Sequence, residues 1–232
     1  MGSSRLPGKV LMPLAGEPML VRDINRLKRA ETLSEIVVAT TDKPEDDIIV
    51  EQCIRSDWTW FRGSEQDVLD RYYKAAISNR AEVVVRVTSD CPLIEPTIVD
   101  EVVSFFLSNI HRLDYVSNRI PRPTFPRGLD TEALSFQALE LAWKEDLNPA
   151  WREHVTPYLY MNPSTFRIAG ISSDVDRSDM RWTVDTPEDI NFVRKIYDHF
   201  GHDDFSWTEV LALLEQHPEW LEINRHVVQK SI

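Results

Sequence analysis

The chain has 232 residues, a formal net charge of −12 and two cysteines, Cys53 and Cys91. That length buries a sizeable core, roughly 70–75 % of the unfolded surface, while the acidic balance argues against a general nucleic-acid binder, which needs a basic footprint. Two separated cysteines suit a reducing compartment rather than a disulfide framework, no apolar run nears the roughly 18 residues of a membrane span, and residues 2–16 lack a signal-peptide core, so a cytoplasmic protein with no nucleic-acid and no membrane partner is expected.

The first nine residues, Met1-Gly2-Ser3-Ser4-Arg5-Leu6-Pro7-Gly8-Lys9, cannot make a helix or a core strand. They can make a tight loop whose N–H groups converge on an anion, with Arg5 and Lys9 adding a planar fork of donors and a mobile point charge. A disordered terminus is the plain alternative, but the apolar run 10–14 follows at once and anchors the loop. The spacing is not that of a Walker A loop: Gly2 to Gly8 is one residue too long, and Val10 stands where Ser or Thr would hold magnesium.

Residues 17–31 read as an amphipathic helix with Leu20, Ile24 and Leu27 on one face and Arg22, Arg26 and Lys28 opposite. Residues 36–40 form a short β-branched run of the buried parallel kind. Pro44 and the acids at 45–47 then open a helix. A weaker strand at 58–61 is followed by a helix over 65–78, capped by Gly63-Ser64, and by a second strong strand at 82–88. Strand, helix and strand at these intervals predict right-handed crossovers and a parallel sheet. Further on come a helix at 98–107, a strand at 114–117, a Pro- and Arg-rich loop at 120–128, helices at 136–143 and 150–161, and a strand at 165–171. The chain closes with a strand at 181–185, a helix at 187–199, a helix at 207–215 and an extension over 219–228. His199 and His202 are not a persuasive metal site, since no acid or Cys completes a ligand set with them, and Trp207 and Trp220 read as core or interface residues.

Two acids stand just past predicted strands, Asp90 and Asp185, where ligands sit in open α/β sheets. Magnesium keeps several waters and needs only one or two carboxylates. Asp90 also reads as a turn residue, and Asp185 as a helix-start residue ahead of an N-cap Thr186, Pro187 at N1 and a capping Asp189. Taken as unpaired, neither acid should matter for folding, and removing one is expected to relieve repulsion.

Ser-Ser-Arg-Leu-Pro-Gly-Lys at 3–9 with Leu-Ala-Gly-Glu-Pro-Met-Leu at 14–20 resembles the start of the cytidylyltransferases that load CMP onto acidic sugars. The resemblance is to the spore-coat polysaccharide biosynthesis protein F group, similar to CMP-KDO synthetase and acylneuraminate cytidylyltransferase, and runs from Met1 to about Tyr197. It implies an α/β fold, a Rossmann-like, mostly parallel sheet flanked by helices, of the nucleotide-diphospho-sugar transferase type. A small acceptor-side insertion is expected at 114–172 and a C-terminal helical extension at 203–232. In that family a buried strand ending in Gln-Ala-Arg precedes the loop. The expectation is that the reading frame extends upstream through such a strand; without it, a marginal or oligomer-dependent fold is expected.

The resemblance implies a nucleotide triphosphate, CTP, held by Ser3, Ser4, Arg5 and Lys9, with Arg5, Lys9, Asp90 and Asp185 as the catalytic set. Thr-Ser-Asp-Cys-Pro-Leu-Ile at 88–94 is similar to the family's Gly-Asp-x-Pro-Leu-Ile metal motif, with Ser89 for the usual Gly, and Asp185 is implied as the second Mg²⁺ ligand. Asp42 is implied near the base or ribose, a plain turn being the alternative. The run 62–71 matches Gly-Ser-x-x-Asp-Val-Leu-x-Arg, placing Gly63, Ser64 and Arg71 by the nucleotide; a capped surface helix explains the same letters. Blocks at 128–132 and 152–156, with Asn118 and Arg127, resemble the lining of the sugar pocket and implicate Asn118, Arg127, Asp130, Glu132, Arg152 and His154. A lone His is otherwise most simply structural.

The reading is a magnesium-dependent transferase making a CMP-activated sugar for surface polysaccharide. The alternatives are a catalytically weak nucleotide-sugar binding protein and a glycosyltransferase of related fold. Assembly as a homodimer stays open.

Overall fold

In the computed structural model, which describes Gly2 and residues 5–229, the opening loop passes through a 3-10 turn (Lys9–Leu11) into a hairpin, β1 (Pro13–Leu14) against β2 (Glu17–Pro18). Its turn residues Ala15 and Gly16 have φ of 44° and 89°, the pair of positive values such a loop demands. The hairpin takes the first two residues of the expected helix, so α1 spans Met19–Leu27. It buries Leu20, Ile24 and Leu27 as expected, but Arg22 and Arg26 are buried too. Arg26 donates from Nε to Ile94 O (2.7 Å) and from Nη1 to the carbonyls of Asp203 (2.8 Å) and Phe205 (2.9 Å). A guanidinium carries five donors, enough to satisfy loop carbonyls that have no helix or strand partner.

The first half then alternates as the sequence predicts: β3 (Val37–Thr41), α2 (Asp47–Arg55), β4 (Thr59–Gly63), α3 (Val68–Ser78), β5 (Val83–Arg86) and α4 (Pro96–Ser108). β3 and β4 pair in parallel with Val37 opposite Thr59. α3 starts where Asp67 caps it, its carboxylate accepting from Asp70 N.

The second half corrects the expected mostly parallel sheet. β6 (Tyr115–Ser117), β7 (Glu132–Ser135) and β8 (Ile168–Gly170) join β5 in the order β5-β7-β6-β8. β7 runs antiparallel to both β5 and β6; only β6–β8 is parallel. All four residues of β7 are buried, so it shows no alternation, and a four-residue run carries no sequence signal of direction. The sheet is mixed, and β6, β7 and β8 share it with β5.

The remaining helices are α5 (Phe136–Glu145), α6 (Pro149–His154), α7 (Pro157–Tyr160), α8 (Pro187–Phe200) and α9 (Trp207–Gln216), followed by a 3-10 turn (Pro218–Glu222). The single helix expected at 150–161 is broken at Val155, whose φ is 73°, and the strand expected at 181–185 is reduced to one bridge between Arg127 and Arg181. α8 begins with a full capping box, Thr186 with Asp189, and ends at Gly201 in the left-handed region. Under it lies a core that includes Leu14, Met19, Trp182, Val184, Phe192 and Phe205.

Among the described residues β3 pairs only with β4, and β5 only with β7. Between them lies a cavity of about 900 Å³ lined by Val37, Ala39, Val83, Val85 and the side chain of Asp23, reaching Thr88 and Ser89 at one end.

Candidate active site

Three segments distant in sequence meet at Lys9. Its Nζ donates to Asp90 Oδ2 and Asp185 Oδ1, each at 2.9 Å, and to Val184 O at 2.7 Å. The backbone holds the segments together independently of these side chains. Val184 N donates to Asp90 O (2.7 Å), and Thr183 Oγ1 donates to the same carbonyl (3.1 Å). Gly128 lets residues 182–183 approach from the other side: with φ of 110°, a Cβ there would lie 2.7 Å from both Thr183 N and Trp182 C.

Asp185 is the most heavily paired acid of the group. Its Oδ2 meets Arg5 Nη2 at 2.9 Å and Arg181 Nη2 at 2.8 Å, while Oδ1 takes Lys9. Burial works to raise its pKa, but Lys9, Arg181 and Arg5 outweigh it and hold the carboxyl below its usual 3.8. Burial likewise works to lower Lys9, and Asp90 and Asp185 reverse it, raising the ammonium above its usual 10.5. The expectation of two unpaired, repelling acids is therefore corrected: a cation stands between them. Asp90 is fixed further by Thr88 Oγ1, which donates to Oδ1 at 2.6 Å.

Among the described residues no group of three or more His, Cys, Asp or Glu could hold a metal ion. The two carboxylates fit the more modest demand of magnesium, which takes one or two protein oxygens and keeps its water. Their converging on one ammonium shows that the fold already points both at a single cation position.

Of the other expected nucleotide contacts, Arg5 lies at this centre, whereas Ser3 and Ser4 lie outside the described residues. Asp42, Gly63, Ser64 and Arg71 cluster at the ends of β3 and β4. Asp42 is exposed and its N donates to Gly63 O at 3.0 Å. Arg71 Nη1 donates to Ser64 O at 2.5 Å, its buried Nε has no hydrogen-bond partner among the described residues, and the residue lines the cavity. A Cβ on Gly63 would press on Arg71 at 3.1 Å. Ser64 Oγ caps the entry to α3 by accepting from Asp67 N.

The six expected acceptor-side residues divide in two. Asn118, Glu132 and Arg152 are saturated by the protein. Asn118 Nδ2 donates to Leu129 O, and its Oδ1 accepts from Thr131 N. Glu132 accepts from Arg86, Tyr115 and Thr156, with Arg86 Nη1 at 2.5 Å; burial opposes its ionisation, but Arg86 and these hydrogen bonds keep its pKa below the usual value. Arg152 ties α6 to α3 by donating from Nε and Nη2 to Asp67 Oδ2, at 3.0 and 2.8 Å. Arg127, Asp130 and His154 instead have no hydrogen bond from their side chains among the described residues, and Asp130 meets only Arg119, at 3.8 Å. Burial lowers Arg127 and His154 and raises Asp130. The charges of Asp130 and Asp185 both act on Arg127, opposing the effect of its burial. His154 precedes Val155, where Thr156 N donates back to His154 O at 2.9 Å across a φ of 73°. This positive-φ γ-turn is rare and strained for a β-branched residue.

The sequence reading missed Arg181, which lies 8 % exposed behind Asp185. It also missed that Asp189, beyond capping, accepts from Arg181 and from the N–H of Asp185 (2.9 Å). The signal was present in part: an Arg four residues before one acid and eight before another.

The cytidylyltransferase family model matches residues 1–221. The chain belongs to the cytidylyltransferase family. It is 38 % identical to an uncharacterised protein of Methanocaldococcus jannaschii over 99 % of this chain and 93 % of the relative. To the spore coat polysaccharide biosynthesis protein SpsF of Bacillus subtilis it is 30 % identical, over 94 % and 92 %. Among solved structures, a cytidylyltransferase from Leptospira borgpetersenii serovar Hardjo-bovis superposes with a TM-score of 0.91 at 32 % identity, covering all of this chain and 95 % of that one. The structure of CMP:2-keto-3-deoxy-manno-octonic acid synthetase complexed with CTP, at 20 % identity and a TM-score of 0.63, covers 85 % of this chain and 95 % of its own and shares the fold. No helix among the described residues of this cytidylyltransferase is long and apolar enough to cross a membrane.

Proposed function

We propose that the protein transfers CMP from CTP to a sugar, with an acidic sugar the preferred acceptor, and releases pyrophosphate for surface polysaccharide synthesis. The observation that carries this reading is the convergence of Asp90 Oδ2 and Asp185 Oδ1 on one cation position at 2.9 Å each, beside the Gly/Pro loop that bears Arg5. In the reaction a sugar hydroxyl oxygen bonds to the α-phosphorus, the bond from that phosphorus to the bridging oxygen breaks, pyrophosphate departs with the bond's electron pair and the hydroxyl proton passes to water. Little covalent help is needed; position and charge decide the rate.

Asp90 and Asp185 would hold magnesium, which when bound polarises the phosphoryl oxygens and offsets the charge of the leaving group. Lys9, released from the two carboxylates, offers its charge to the phosphates, and Arg5 adds a second. Ser3, Ser4, Asp42, Gly63, Ser64 and Arg71 belong to the nucleotide side of this reading. Arg127, Asp130 and His154, with free polar atoms, face the acceptor, and two guanidinium groups there, Arg119 and Arg127, favour an anionic one. Asn118, Glu132 and Arg152 form the frame that fixes them.

A panel of nucleoside triphosphates and acidic or amino sugars, assayed for pyrophosphate with magnesium, tests the reading. Pyrophosphate release with CTP and an acidic sugar supports it. Nucleotide binding without release, with every pair, would favour the nucleotide-sugar binding protein instead.

A further inference from the structure

The carboxylate of Asp185 is held from behind by a chain of hydrogen bonds, buried at Asp189 and Asn224 and open to solvent at Gln229, that ends outside the matched family region. Arg181 Nη2 donates to Asp185 Oδ2 at 2.8 Å. Arg181 is itself gripped by Asp189, Nε to Oδ1 at 2.8 Å and Nη2 to Oδ2 at 3.0 Å. Asp189 is fully buried, and its Oδ2 also accepts from the N–H groups of Asp185 and Thr186. The last links come from residues 223–229. Asn224, 4 % exposed, donates from Nδ2 to Arg181 O (2.9 Å) and to Asp189 Oδ1 (3.0 Å). Gln229 Oε1 accepts from Arg181 Nη1 at 2.7 Å. The family match stops at residue 221.

These contacts do more than a core needs. Apolar packing of Trp220, Leu221 and Ile223 already anchors the segment. A buried amide whose Nδ2 holds both the main-chain carbonyl of Arg181 and the Asp189 carboxylate fixes the acid that grips the guanidinium, because turning Asp189 away would strand buried donors and acceptors. Arg181 in turn decides which way Asp185 presents its free electron pairs. Metal ligands held this way lose affinity on the order of 10–100-fold when the group behind them is removed.

We propose that residues 223–229 form a positioning arm of the reaction centre, in which Asn224 sets Asp189 and the main chain at residue 181, Asp189 and Gln229 set the Arg181 guanidinium, and Arg181 sets Asp185 for its cation. The inference rests on the reading of Asp185 as a metal-holding carboxylate. The arm acts through other residues, so its signature is a changed metal requirement rather than a changed nucleotide affinity. Asn224→Leu keeps the size of the side chain and removes both donors; Gln229→Ala removes the other link. Arg225→Ala, in the same segment but paired among the described residues only with exposed Glu222, is the control.

The test is Mn²⁺ binding in the presence of CTP, read by electron paramagnetic resonance, together with the half-saturating Mg²⁺ concentration for pyrophosphate release. Asn224→Leu is expected to weaken Mn²⁺ binding and raise the Mg²⁺ requirement by about 10-fold or more, with the CTP KM within a factor of two to three of wild type by the same reasoning. Gln229→Ala should give a smaller shift in the same sense and Arg225→Ala none. An Asn224→Leu protein that melts earlier but, while folded, binds Mn²⁺ as wild type does would overturn the inference and leave Asn224 a packing residue. A wild type that binds Mn²⁺ but releases no pyrophosphate counts against the transferase reading alone, since the Mn²⁺ comparison needs no turnover.

Discussion

Lys9 Nζ and Asp185 Oδ1 are 176 positions apart in the chain and 2.9 Å apart in space. The contact closes the opening loop onto the start of α8, and the same ammonium reaches Asp90. One lysine thus does the work of a cation for two acids that would otherwise face each other in a partly buried pocket.

Lys9→Ala removes that charge. In the transferase reading it weakens triphosphate binding by about 1.5–3 kcal/mol, the range for a hydrogen bond to a charged group, which calorimetry with CTP measures. Stability changes with pH in a defined way. Asp185 titrates lower in the fold, so its contribution is present above the unfolded carboxyl value and lost as pH falls through the depressed one. Lys9 titrates higher in the fold, so its contribution is present below 10.5 and lost as pH rises through the raised value. Lys9→Ala should therefore lose stability on the plateau between these limits and approach wild type at either extreme. A uniform offset at all pH values would contradict the pairing.

Asp23 behaves oppositely. Both carboxylate oxygens are buried without a hydrogen-bond partner among the described residues, and Asp23 lines the cavity between β3 and β5. Burial, with Asp90 and Asp203 adding to it and Arg26 and Lys9 opposing, raises its pKa well above 3.8. A carboxyl that titrates higher when folded costs stability once pH exceeds its unfolded value, and the cost is complete above its folded one. Asp23→Asn should raise the melting temperature at pH 8 by a few degrees, about 1 kcal/mol being worth roughly 2–4 °C at this chain length, and the gain should vanish toward pH 4. An unchanged or lower melting temperature at pH 8 would show that Asp23 has a partner in solution.

Much of the site was legible because its signals are local. Asp90 comes four residues after a β-branched strand ends, Asp185 precedes a capped helix, and Gly8-Lys9 closes a Gly- and Pro-rich loop that leads into a 3-10 turn. Each of these is a choice the chain makes within a few residues. What the sequence could not show is long-range. Nothing near Arg181 announces Asn224, 43 residues on, and nothing in Glu-Ala-Leu-Ser fixes β7 as antiparallel between β5 and β6. Arg22 and Arg26 misled in the other direction: charge placed them outside, whereas the Leu14 carbonyl of the neighbouring hairpin drew in Arg22 and carbonyls of distant segments drew in Arg26. Among the described residues β3 and β5 each turn an edge without a strand partner toward the cavity.

The most direct test of the central claim is pyrophosphate release from CTP and an acidic sugar by Asp90→Asn and Asp185→Asn, across a magnesium titration. Asp185→Asn is also expected to lower the melting temperature, since Lys9, Arg5 and Arg181 each lose an ionised partner, so the rates are compared on folded protein. A pair of carboxylates that holds the reaction's cation predicts a fall in kcat on the order of a hundredfold or more in each variant, with a raised magnesium requirement. Wild-type turnover in both, at wild-type magnesium, would make Asp90 a turn residue and Asp185 a helix-start residue and would contradict the account.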